Sequence, residues 1–78
     1  IKILMVEDVS TDAELIEMEL QAASISFRTQ RVETKKLFRD FLESYTPDLI
    51  ISDFNLPSFN AFEALQIKQE YNPHIPFI

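Results

Sequence analysis

Apolar residues along the chain fall into two kinds of pattern that take turns. Near-continuous runs occupy residues 1–6, broken only by Lys2, and residues 49–51. Runs this short do not make buried helices and suit parallel strands covered on both faces. Between them, Ala13, Ile16, Leu20 and Ala23 recur at three- and four-residue spacing. That spacing predicts an amphipathic helix of about three turns, with Ser10 or Thr11 as its capping residue. Residues 27–32 read as a second, more polar strand, and Arg28, Gln30 and Arg31 point to an edge position. Thr34 is the expected cap of a second helix whose buried face holds Leu37, Phe38, Phe41, Leu42 and Tyr45. Thr46-Pro47 ends it, because the residue before a proline is pushed out of the helical region.

After the third strand, Pro57, Ser58 and Asn60 mark a loop. Asn60 is placed to cap a third helix that turns Phe62, Leu65 and Tyr71 inward, and residues 75–78 open a fourth strand. The predicted order is β-α-β-α-β-α-β. Short connections between alternating strands and helices imply right-handed crossovers and an α/β architecture with an open parallel sheet.

Composition narrows the class. Seventy-eight residues allow one small domain, and 46% apolar with 26% charged residues is globular, not disordered. Thirteen acids against seven bases leave a net charge of −6, which argues against direct nucleic-acid or anionic-membrane contact. Without cysteine there is neither a disulfide framework nor a thiolate metal site. No apolar run reaches the roughly 18 residues of a membrane span and no signal-peptide pattern opens the chain, so a cytoplasmic location is expected. The chain starts at Ile1 without a methionine and stops at Ile78 inside an apolar stretch. Residues 1–78 are therefore expected to be an incomplete domain lacking one or two final βα units, prone to dimerise or associate through uncovered sheet.

The chemistry is carried by acids. Glu7 and Asp8 follow the first strand, and Asp53 ends the third within Asp48-Leu49-Ile50-Ile51-Ser52-Asp53-Phe54-Asn55-Leu56-Pro57. If those strands are neighbours, all three acids meet where open parallel sheets place their ligands. Crowded carboxylates repel one another and raise some pKa values unless a cation intervenes. Mg²⁺ answers this need with one or two carboxylates and its own waters. An acid left free to act is then a nucleophile toward phosphorus. The other chemistry-bearing residues read more plainly: His74 as a surface loop residue, Phe38, Phe41 and Phe62 as core, Phe54 as rim of the acidic pocket or core.

Ile3-Leu4-Met5-Val6-Glu7-Asp8, the run from Pro47 to Pro57, and the helices between them resemble the receiver domain of two-component response regulators. The resemblance runs over the whole chain. It implies a flavodoxin-like fold with strand order 2-1-3-4-5 in the full domain. It further implies that Asp53 accepts a phosphoryl group from a phosphohistidine on a histidine kinase or histidine phosphotransfer domain. Mg²⁺ would be held by Asp8, Asp53 and the backbone carbonyl of Asn55, with Glu7 acting mainly through water. Thr11, Ala13, Glu14, Pro57 and Ser58 would contribute to partner docking. The domain would be a signalling module and not itself an enzyme, of a kind also joined to sensor histidine kinases.

Two departures stand out. The family's Asp-Gly after the loop proline is Asn60-Ala61 here, in a chain without glycine, and Asn is expected to take over the positive-φ duty. The family's switch hydroxyl and lysine have no counterpart before Ile78. The alternative function is a receiver-like interaction domain that takes no phosphate. A haloacid-dehalogenase-type phosphatase fits poorly, because Asn55 stands where its second acid is needed. Nucleotide-binding folds with glycine-rich turns fit no better.

Overall fold

The computed structural model describes residues 1–53 and 60–78. The order is β1 (Lys2–Val6), α1 (Ser10–Ala22), β2 (Arg28–Val32), α2 (Lys35–Ser44), β3 (Leu49–Ser52) and α3 (Ala61–Tyr71). All three strands are parallel, in the order β2-β1-β3. The chain leaves β1 in one direction for β2 and then crosses back over it to β3. Because parallel crossovers keep one hand, that reversal puts α1 on one face and α2 on the other.

Alternation along β1 divides the core. Ile3 and Met5 pack with Ala13, Ile16 and Leu20 of α1. Leu4 and Val6 pack with Phe38 and Leu42 of α2, and with Ala64 and Ile67 of α3. β2 is an edge strand, as its polar residues predict. The fourth strand is present only as a single parallel bridge between Ile50 and Phe77. Pro76 lacks the N–H that a continuous ladder needs, so pairing rests on the Ile50 N–H donating to the Pro76 carbonyl, the Ile78 N–H to the Ile50 carbonyl and the Ser52 N–H to the Ile78 carbonyl, at 2.9 Å each.

Helix ends follow local rules with one exception. Thr34 caps α2 by accepting the Leu37 N–H, and Asn60 with Glu63 forms a capping box at the start of α3. α1 begins one residue earlier than expected. Val9 is its N-cap, and its carbonyl accepts the N–H groups of Asp12 and Ala13, so neither Ser10 nor Thr11 caps it. Ala23 ends α1 on the exposed side instead of extending its buried stripe.

The inward faces of α2 and α3 differ in part from the expected ones. Leu37 is exposed, while Phe38 and Leu42 carry α2 onto the sheet. On α3, Phe62 is 70% exposed and Tyr71 also faces water; Ala61, Ala64, Ile67 and Lys68 are buried instead. Two alanines let the helix lie close to its neighbours, which turns the bulky aromatics outward. Lys68 buries its stem and donates from Nζ to the Pro73 carbonyl at 2.8 Å. His74 is exposed, as its position between prolines predicts.

Positive φ is needed elsewhere than at Asn60, which is extended with φ −108°. Among the described residues it occurs at Ser24 (φ 59°) and Thr46 (φ 48°), just past the ends of α1 and α2. Non-glycine residues take the left-handed positions that glycine usually fills there.

Candidate functional site

β1 is the strand at which the connection direction reverses, so the βα segments after β1 and β3 diverge and open a crevice at their carboxyl ends. Val6 and Ser52 are register partners. Beyond them the Asp53 N–H donates to the Val6 carbonyl at 2.8 Å, which holds the start of the next segment beside β1. Glu7, Asp8 and Asp53 thereby come together, with a carboxylate oxygen from each lying within 4.8 Å of the others. A cleft of about 230 Å³ opens here, lined by Met5, Val6, Glu7, Ile16, Ile51, Ser52 and Asp53.

Glu7 is the most enclosed of the three, at 7% exposure. Burial pushes its carboxyl above the ordinary carboxylate range. The Val9 N–H, donating to Oε1 at 3.1 Å, pulls the other way. The charges of Asp53 and Asp12 and a hydrogen bond with Asp8 add to the rise. β2 grips the same residue through its backbone: the Glu7 N–H donates to the Val32 carbonyl at 3.1 Å, and Arg31 Nη1 donates to the Glu7 carbonyl at 3.0 Å.

Three hard oxygen donors at this separation are the donor set a hard divalent cation takes. Glu7, Asp8 and Asp53 therefore fit the ion expected from the sequence. Asn55, Pro57 and Ser58, and with them the Phe54 rim, lie outside the described residues. Of the docking candidates on α1, Thr11 and Glu14 are exposed at its start. Ala13 is 4% exposed and packs with Ile3 and Met5, so its side chain offers no surface to a partner. The spacing that placed Ala13 on the apolar stripe is the reason it faces the sheet. In sequence Arg31 is marked as an edge-strand residue within a solvated basic cluster from Arg28 to Arg39. Its bond to a main-chain carbonyl has no side-chain signature in sequence.

No protein-family model and no curated protein sequence matches the chain. Solved structures do. The non-phosphorylated HemR receiver domain from Leptospira biflexa is similar at a TM-score of 0.78 and 24% identity, over 97% of this chain and 60% of that one. The anti-anti-sigma factor PhyR from Bartonella quintana gives the same TM-score and identity, over 99% of this chain and 31% of that one. The fold is that of a receiver domain. The chain spans less than two thirds of the length of either structure, and identity at this level speaks for the fold alone. In this receiver fold, the β2-β1-β3 order matches the expected flavodoxin-like arrangement, and the three acids stand at its switch point. Among the described residues no helix is long and apolar enough to cross a membrane.

Proposed function

We propose that this receiver domain is a phosphoacceptor, in which Asp53 takes a phosphoryl group from a phosphohistidine. The observation that carries the reading is the convergence of Glu7, Asp8 and Asp53 at the carboxyl ends of β1 and β3. An Asp53 carboxylate oxygen attacks phosphorus in line with the leaving imidazole. The new bond is P–O; the P–N bond breaks and its electron pair returns to the ring nitrogen, while the other ring nitrogen carries a proton taken from solvent, so that a neutral histidine leaves and an acyl phosphate remains. Divalent metal, when bound, offsets the charge on the phosphoryl oxygens. Asp8 and Asp53 would be its direct carboxylate ligands, and Glu7, buried and held by the Val9 N–H, would act mainly through water.

The donor proposed is a histidine kinase or histidine phosphotransfer domain, approaching over the exposed Thr11 and Glu14 at the start of α1. A net charge of −6 favours a donor with a basic contact surface. Incubation with acetyl phosphate and Mg²⁺ tests the acceptor. The intact mass should rise by one phosphoryl group, and the rise should vanish in Asp53→Asn and in chelator. A chain that stays unmodified under these conditions supports the receiver-like interaction module that takes no phosphate.

A further inference from the structure

We infer that Arg31 is a positioning residue for the acidic site, acting through the peptide that joins Glu7 to Asp8. The inference rests on the reading of Glu7, Asp8 and Asp53 as a cation-dependent acceptor site. Arg31 is the register partner of Met5, one strand over from the acids. Its Nη1 donates to the Glu7 carbonyl at 3.0 Å and to Glu33 Oε1 at 2.7 Å. The Glu33 carboxylate anchors the guanidinium from outside, and the guanidinium in turn anchors the carbonyl.

That carbonyl belongs to the Glu7–Asp8 peptide, which is planar and rigid. The N–H on the other side of Glu7 is already fixed, since it donates to Val32. With both flanking peptides tied to β2, the backbone has little freedom left at Glu7. The direction in which Asp8 leaves the chain is set accordingly. The tie matters more here than along a strand interior, because these residues lie beyond the last β1 ladder pair at Val6. In many metal sites, loss of a group that orients a ligand without touching the ion weakens binding by about 10–100-fold.

Charge and position pull in opposite directions, which makes the role measurable. As a nearby positive charge, Arg31 opposes a divalent cation. As a clamp, it favours one by holding the carboxylates in place. Loss of Arg31 tightens cation binding if only its charge matters, and weakens it if its hydrogen bond matters. With its side chain 34% exposed, substitution leaves no buried void.

The test is an amide NMR titration of the chain with MgCl₂, on the wild type, Arg31→Ala and Arg31→Lys, with metal-free thermal melts in parallel. We expect Arg31→Ala to weaken Mg²⁺ binding by roughly tenfold while the melting temperature stays close to the wild type. Arg31→Lys, which keeps a donor of similar reach, should recover part of the loss. Unchanged or tighter binding in Arg31→Ala overturns the inference. Equal losses in both variants accompanied by a lowered melting temperature also overturn it, in favour of general support of the fold. A wild-type chain that binds no Mg²⁺ contradicts the acceptor-site reading itself, and the inference falls with it.

Discussion

Glu7 and Asp53 end neighbouring parallel strands one residue beyond the register pair Val6 and Ser52, and that register brings their carboxylates together with Asp8 within 4.8 Å. The sheet thus holds like charges close together at one edge. Such an arrangement costs stability when nothing neutralises it, and the cost can be read by titration.

In metal-free buffer, the chain should lose stability as pH rises above the ordinary Glu value of 4.5. The folded-state pKa of Glu7 is raised, so between the unfolded and folded values the folded state binds more protons. Stability therefore falls as pH rises through that window and levels off above the folded pKa. Glu7→Gln should flatten this part of the profile. Glu63 works in the opposite sense: Lys35 and the Asn60 N–H lower its pKa, so its contribution is present above 4.5 and fades as pH falls below it. Urea melts over about five pH units, from about pH 3 to about pH 8, separate the two.

Magnesium should reverse the cost. At a concentration of about one hundred times Kd, a ligand of the folded state raises stability by roughly 2.7 kcal/mol. Asp8→Asn should remove most of that gain. The same substitution should leave the metal-free chain slightly more stable than the wild type, because it deletes one of three repelling charges. Thermal melts with and without Mg²⁺ should therefore place the two proteins in opposite orders.

Phe38 and Phe62 should respond very differently to truncation. Phe38 is fully buried among Leu4, Val6, Leu42 and Ile50, and Phe38→Ala should cost about 3–5 kcal/mol. Phe62→Ala should change stability by no more than about 0.5 kcal/mol. Denaturant midpoints decide, and comparable losses would contradict the packing of α3 described above.

Ser24→Gly should stabilise the chain. Ser24 follows α1 with φ 59°, and its N–H and that of Ile25 return to the Gln21 and Leu20 carbonyls in a Schellman-type end. A Cβ in this region costs about 1–2 kcal/mol. Glycine also gives the unfolded chain more freedom, so a net gain of about 0.5–1 kcal/mol is expected. The residue is exposed and loses no packing, and a calorimetric melt reads the difference.

These elements differ in how far the sequence alone reveals them. The strand runs, the Thr34 and Asn60 caps and the edge character of β2 depend on local chemistry and are legible residue by residue. The acidic site is legible as well, because a buried run ending on an acid is visible at both 1–8 and 48–53. The inward face of α3 is not. Apolar residues lie on more than one side of that helix, and close packing through Ala61 and Ala64 prevails over the bulk of Phe62. The start of α1 is set by the Val9 carbonyl, which no side chain advertises. Arg31 is hidden for the same reason, since its partner is a main-chain oxygen that any residue at position 7 would offer.

Asp53, and not one of its two acidic neighbours, is expected to take the phosphoryl group. After reaction with acetyl phosphate and Mg²⁺, borohydride reduces an acyl phosphate to the alcohol, and peptide mass mapping then locates the residue reduced. Reduction is expected at Asp53 alone, with none in a sample kept in chelator. Reduction at Glu7 or Asp8, or at no residue of the chain, would contradict it.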